Sequence, residues 1–174
     1  MEVTIFEQDV DCLEIDNKNC QIYFVRHALS KANKGNKNYV DTPLSPEGIE
    51  QAQQLQGHFD LVFCSPLRRT KETLHYSQIT YDSLIIEHNI REMVQDKTSS
   101  LLLEDFKEEH IDNFWRRAGQ FTKDLQHYCA KLSNEMDNKV QPKILIVSHG
   151  FFFNGWYRNG SFDPPVYADL IRLK

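Results

Sequence analysis

The sequence predicts an α/β fold in three layers, α/β/α, built on a mostly parallel central sheet with an antiparallel strand at one edge. Three observations point there. Short apolar runs alternate with helix-patterned segments and nothing repeats, the pattern of strands joined by crossover helices. Two of the runs, Ile22-Tyr23-Phe24-Val25 and Ile144-Leu145-Ile146-Val147, are apolar throughout, as strands covered on both faces are. Each leads directly into a histidine, in Arg26-His27 and in Ser148-His149-Gly150. Ligands of parallel sheets bind beyond the carboxyl ends of the strands, so two strand-end histidines far apart in sequence can meet at one site.

Taken in order, strands are expected over 21–25, 61–64, 83–87, 143–147 and 167–173, the last alternating apolar and polar residues as an edge strand does. Ser45-Pro46-Glu47 supplies a cap, a first-turn proline and an acid. Ile49, Ala52 and Leu55 then repeat at helical spacing. Ser65-Pro66 reads as a second cap-and-proline start, with Leu67, Thr70 and Leu74 on one face. From Ile111, the residues Phe114, Trp115, Ala118, Phe121, Leu125, Cys129 and Leu132 mark an amphipathic helix facing the sheet. Phe151-Phe152-Phe153, Trp156 and Tyr157 begin a further helix packed on the core. Segments 33–43, 95–100 and 133–142 read as loops. The second lies just past the third strand and is placed to overhang a site there, as a lid.

A chain of 174 residues suits one domain with a sizeable core, so a single domain over 1–174 is expected, with 1–20 an added hairpin or arm. A net charge of -5 argues against nucleic-acid binding, which needs a dense basic face. Apolar runs fall far short of the ~20 residues that span a bilayer, and Met1-Glu2 opens no signal-like pattern. A cytoplasmic protein with no membrane partner is therefore expected. Cys12, Cys20, Cys64 and Cys129 lack metal-ligand spacing and read as reduced thiols, Cys64 inside an apolar run; no metal is expected. His58, His75, His88, His110 and His127 share no spacing of that type either.

Arg26, His27, the segment from Ser65 to Arg69, Glu92 and His149 all follow the ends of expected strands and can share one cleft. A guanidinium binds a tetrahedral oxyanion through a fixed fork of donors, and a helix N-terminus adds N–H groups. Arg26, Arg69 and a protonated His149 would make such a pocket. A neutral histidine there can be a nucleophile, since nearby positive charge disfavours imidazolium, and His27 suits this role. Expelling an alkoxide needs a proton donor, for which Glu92 is the candidate and Glu87 the alternative.

The residues carry a family resemblance. The segment from Arg26 to Asn33 resembles the R-H-G-E-[TS]-x-x-N signature of the histidine phosphatase, or phosphoglycerate-mutase-like, superfamily. Asp41-Thr42-Pro43-Leu44-Ser45-Pro46-Glu47-Gly48 with Gln51-Ala52 is similar to D-x-P-L-[TS]-x-x-G-x-x-Q-A. Ser65-Pro66-Leu67-Arg68-Arg69-Thr70 with Thr73 is similar to S-P-L-x-R-[AT]-x-x-T, and Ser148-His149-Gly150 matches the terminal S-H-G. The blocks stand in family order across most of the chain.

The resemblance implies a phosphoglycerate-mutase-like fold and a phosphorylated nucleophile at His27. It further implies that Arg26, Arg69 and His149 hold the phosphoryl group, that Asn33 is a polar contact beside it, and that Glu92 gives the proton, with no metal or cofactor. Family spacing selects Arg69 over Arg68, which reads as a solvated arginine or a second substrate contact. Ser30 either assists at the site or caps the turn after the first strand. Two positions depart from the family: Ala28 replaces the glycine after the histidine, a mild change unless that backbone needs a positive φ, and Leu29 replaces an acid or amide. The run from Glu104-Asp105 to Glu108-Glu109 reads as a solvated face or loop. The expected activity is metal-independent hydrolysis of phosphomonoesters through a phosphohistidine, on a phosphorylated small molecule or a phosphoprotein. Mutase-type transfer and a catalytically idle phospholigand-binding relative are the alternatives.

Overall fold

A computed structural model describes residues 19–101, 108–136, 140–157 and 165–173. In chain order it contains β1 (Gln21–Arg26), α1 (Pro46–Ala52), β2 (Gln56–Cys64), α2 (Arg68–Tyr76), β3 (Gln78–Ile86), α3 (Ile111–Glu135), β4 (Lys143–Ser148), α4 (Gly150–Trp156) and β5 (Leu170–Arg172). Short 3-10 turns at His88–Ile90 and Lys97–Ser99 punctuate the connection from β3 to α3. The strands lie in the order β3-β2-β4-β1-β5. All neighbours are parallel except β5, which runs antiparallel to β1 at the edge. Residues 1–18, most of the expected N-terminal arm, lie outside the described residues.

Strand alternation divides the core into two layers. Ile22, Phe24, Leu61, Phe63, Ile144 and Ile146 face α3 and α4, meeting Phe114, Phe121, Leu125, Phe152 and Trp156. Val25, Val62, Cys64, Leu145 and Val147 face the other way, against Leu55 and Leu74. Ala28, Leu44 and Ala52 form a smaller cluster beside α1. The central strands are thus buried on both faces, which is why their sequences lack polar alternation.

The register places the site. Arg26 is level with Ser148, and Cys64 with Val147. The next residues, His27, His149 and Ser65, therefore leave three adjacent strands side by side. The His27 N–H donates to the Ser148 carbonyl at 2.9 Å, and the Ser65 N–H to that of Val147 at 3.0 Å.

Several elements differ from the sequence expectation. The Ser45 hydroxyl caps α1 as expected, accepting from the Gly48 N–H at 3.1 Å, yet the helix ends at Ala52. The N–H groups of Gln54 and Leu55 turn back to Gln51 and Ala52, and the chain enters β2 at once through Gly57 at φ +147°. β2 and β3 begin earlier than their apolar runs do, at Gln56 and Gln78. β3 is an edge strand with most side chains exposed, so its ladder to β2, not burial, makes it a strand. β5 is shorter than 167–173 because Ala168, at φ 50°, turns the chain before it. α2 starts at Arg68: the Asp41 carboxylate accepts the Arg68 N–H at 2.8 Å, and the Ser65 hydroxyl is engaged elsewhere. α3 runs on to Glu135, into the expected loop 133–142.

Candidate active site

His27 is 3% exposed, and its Nδ1 lies 2.7 Å from the Ala28 carbonyl. A carbonyl only accepts, so Nδ1 carries the proton and Nε2 keeps its lone pair. Burial, reinforced by the charges of Arg69 and Arg26, holds the His27 pKa well below the ordinary histidine range. The His149 ring lies 5.2 Å away between centroids. Its Nε2 is 2.8 Å from the Ser65 hydroxyl, while its Nδ1 is buried with no hydrogen-bond partner. Burial, then Arg69, lowers its pKa strongly too, which favours the neutral ring; the protonated form expected in a phosphate pocket therefore requires an anion beside it.

The loop after His27 is fixed by the second and third sequence blocks. The Ala28 N–H donates to Thr73 Oγ1 at 2.9 Å, and the Leu29 N–H to Gln51 Oε1 at 3.0 Å. The Leu29 carbonyl accepts from the Ser45 N–H and lies so close to Gly48 that a Cβ there would sit 2.0 Å from its oxygen. Ala28 fits because its φ is not positive; among described non-glycine residues only Asp41 and Ala168 have φ above zero. Leu29 does not line the cleft.

Arg26, His27, Ser30, Asn33, Arg69 and Glu92 line one cleft of about 160 Å³. Arg26 places its guanidinium carbon 3.7 Å from the ring centroid of Tyr167 and donates from Nη1 to the Pro165 carbonyl at 3.0 Å; its Nε is buried without a partner. Gly150 permits this, since a Cβ would come within 3.0 Å of that guanidinium. Arg69, 4% exposed, donates to the Thr98 carbonyl at 3.1 Å. Arg68 instead points to solvent and pairs with Glu72 at 2.6 Å. Ser30 and Asn33 form a local turn: the Ser30 N–H and hydroxyl both donate to Asn33 Oδ1, and the Asn33 N–H returns to Ser30 Oγ. Ser30 therefore both caps the turn and borders the cleft.

The Glu92 carboxyl accepts from the N–H groups of Met93, Phe151 and Phe152 at 3.2, 3.4 and 3.1 Å. Burial outweighs these bonds and the charge of Arg69, and raises its pKa. Glu87 is spent on a turn, accepting from the Asn89 N–H at 2.8 Å, and does not line the cleft. The loop 95–100 does border the cleft, through Gln95, Asp96, Thr98 and Ser99. It is tied down by Arg69 and by N–H bonds from Asp41 and Thr42 to Lys97 and Thr98.

Some contributors were not read from the sequence. Ser65 is placed near the cleft by the sequence, but its partnership with His149 is not, and its hydroxyl also accepts weakly from the Leu67 N–H at 3.5 Å. Tyr167 was assigned to a strand and lies against Arg26. Glu109, expected in a solvated charge run, is 7% exposed and ion-paired to Arg117 at 2.7 Å; residues 104–107 of that run lie outside the described residues. An arginine between Phe114 and Ala118 on the buried stripe of α3 was the signal for that pair.

Fold and site together define an α/β protein with a histidine pair and two arginines at the carboxyl edge of its sheet. The chain belongs to the histidine phosphatase superfamily (branch 1), whose sequence profile matches residues 22–159. Members of that superfamily are phosphatases and mutases. The solved alpha-ribazole phosphatase of Shigella flexneri is similar at 26% identity, covering 77% of this chain and 76% of that one, with a TM-score of 0.51. The phosphoglycerate mutase of Thermus thermophilus is similar at 15% identity over 88% of this chain and 92% of its own, with a TM-score of 0.60. No curated protein matches the chain in sequence. Among the described residues no helix is long and apolar enough to cross a membrane.

Proposed function

We propose that this protein is a metal-independent phosphomonoester hydrolase that works through a phosphohistidine on His27. The observation that carries the reading is the bond from His27 Nδ1 to the Ala28 carbonyl, which leaves the Nε2 lone pair free beside a cleft lined by Arg26, Arg69 and Glu92. The buried, unpartnered Nε of Arg26, a residue that lines this cleft, is a further polar atom that an anion would satisfy, whereas His149, whose Nδ1 is also unpartnered, adjoins His27 but does not itself line the cleft.

In the first step Nε2 attacks phosphorus, the N–P bond forms and the ester P–O bond breaks, and Glu92 gives its proton to the departing oxygen. In the second, water attacks phosphorus, Glu92 takes the proton of that water, and the N–P bond breaks to release inorganic phosphate and neutral His27. Arg26 and Arg69 spread the charge of the transferring group, and preorganised donors of this kind are the main source of phosphoryl-transfer catalysis. The Shigella flexneri relative, a phosphatase by name, favours hydrolysis over transfer back to an alcohol.

The test is turnover of p-nitrophenyl phosphate in excess EDTA by the native protein, His27→Ala and Glu92→Gln. Release of phosphate by the native protein and none from His27→Ala is the expected result. Binding of phosphate without turnover of any monoester would instead mark an idle phospholigand-binding relative.

A further inference from the structure

Arg117 sits on the sheet-facing stripe of α3 with 7% of its side chain exposed, next to Phe114. A guanidinium is tolerated there only with its donors engaged. Its Nε and Nη2 donate to the two oxygens of Glu109 at 2.7 and 2.8 Å. Its Nη1 donates to the carbonyls of Asn89 and Arg91 at 2.7 and 2.6 Å. The carbonyl between them, that of Ile90, accepts from the Ser148 hydroxyl. Three consecutive carbonyls are thereby held, and the next residue is Glu92. On its far side the Glu109 N–H donates to the Val94 carbonyl at 3.0 Å. The Arg117–Glu109 pair grips the chain immediately before and after Glu92, yet neither residue lines the cleft.

A buried ion pair is weak evidence for stability, because apolar residues of similar size commonly serve as well. A fixed position for a proton donor is another matter: displacement by about 1 Å can cost on the order of a hundredfold in rate. In the step that breaks the ester bond, such precision matters only when the leaving oxygen needs a proton. A nitrophenolate departs without one, whereas an alkoxide does not. We propose that Arg117, through Glu109 and the carbonyls of Asn89 and Arg91, is a positioning residue for Glu92, and that this clamp suits the site to phosphate esters of unactivated alcohols. The inference rests on the reading of Glu92 as proton donor to the departing oxygen while His27 Nε2 takes the phosphoryl group.

The test compares kcat/KM for n-propyl phosphate and p-nitrophenyl phosphate, because kcat/KM isolates the step that expels the alcohol. Glu92→Gln is the reference and should lose activity mainly on the propyl ester. Arg117→Lys keeps the charge beside Glu109 without the rigid fork. It should lose roughly tenfold or more on the propyl ester and less than about threefold on the nitrophenyl ester. The double variant Arg117→Leu with Glu109→Leu removes the pair without stranding a charge, and a thermal melt confirms that it folds. The same selective loss in either folded variant supports the proposal. Equal losses on both esters, or none, overturn it while leaving the role of Glu92 intact. An unselective Glu92→Gln overturns that role and the inference together, and turnover by His27→Ala overturns the phosphohistidine reading separately.

Discussion

Gly48 lies outside the cleft, yet the backbone that carries His27 depends on it. A Cβ there would sit 2.0 Å from the Leu29 carbonyl oxygen, a backbone atom that cannot swing aside. Gly48→Ala must therefore push the 28–29 loop and with it the ring whose Nδ1 is fixed by the Ala28 carbonyl. A stability loss of about 1–3 kcal/mol is expected. So is a fall in kcat/KM on the order of a hundredfold, read from a melt and p-nitrophenyl phosphate kinetics. Unchanged kinetics would show that the loop does not rest on α1. Cys64 makes a second case at this scale. Its thiol is fully buried and its pKa is pushed up to about 12 by burial, so hardly any thiolate forms near neutral pH. Iodoacetamide should leave Cys64 unlabelled in the native protein and modify it only after unfolding, as mass spectrometry of its peptide would report.

Among the elements, α2 shows where sequence was legible and where it was not. α1 was readable because its signals are local: Ser45 caps it, Pro46 opens it and Glu47 follows. α2 was misplaced because its acceptor comes from Asp41, far upstream, held at φ 49° where Asp and Asn are tolerated better than other residues. Asp41→Asn keeps both an acceptor and that backbone preference and should cost little. Asp41→Ala should lose about 1–2 kcal/mol and raise KM for phosphate esters, since α2 carries Arg69 in its first turn. Equal behaviour of the two variants in melts and kinetics would remove Asp41 as the cap. Likewise β1, β2 and β4 announced themselves by unbroken apolar runs, while the first half of β3 was hidden, because an exposed edge strand needs no apolar pattern. The pairing of His27 with His149 was legible because strand-end residues of neighbouring parallel strands must meet. Arg117 and Glu109 were not, because only the folded chain shows which carbonyls they reach.

At the scale of the whole molecule, the buried titratable groups couple folding to pH in opposite directions. His27 and His149 have folded-state pKa values well below the ordinary 6.5. Below that value the unfolded chain takes up protons that the native state refuses, so stability falls as pH drops, by up to about 1.4 kcal/mol per pH unit for each histidine. Glu92 has a folded-state pKa raised above 4.5, so its effect is reversed: stability falls as pH rises from 4.5 through the raised value. Asp41, whose pKa burial also raises, acts in the same sense as Glu92, but the strong depression of the two histidines outweighs both, and the melting temperature should climb from pH 5 to 6.5. Sulfate, a tetrahedral dianion throughout this range, then separates the anion site from the rest of the fold. On the proposed function it binds in the cleft lined by Arg26 and Arg69, and its charge near the buried His149 ring, which adjoins His27, favours the protonated form of that ring, so binding takes up a proton. By linkage sulfate must bind more tightly at pH 5.5 than at 7.5. At a hundred times its dissociation constant it adds about 2.7 kcal/mol, roughly 5–10 °C in a protein of this size. At one fixed sulfate concentration the gain in melting temperature should therefore be larger at pH 5.5 than at 7.5, and His149→Gln should remove the difference. A gain that is the same at both pH values would mean that His149 stays neutral with the anion bound and that the two arginines alone carry its charge.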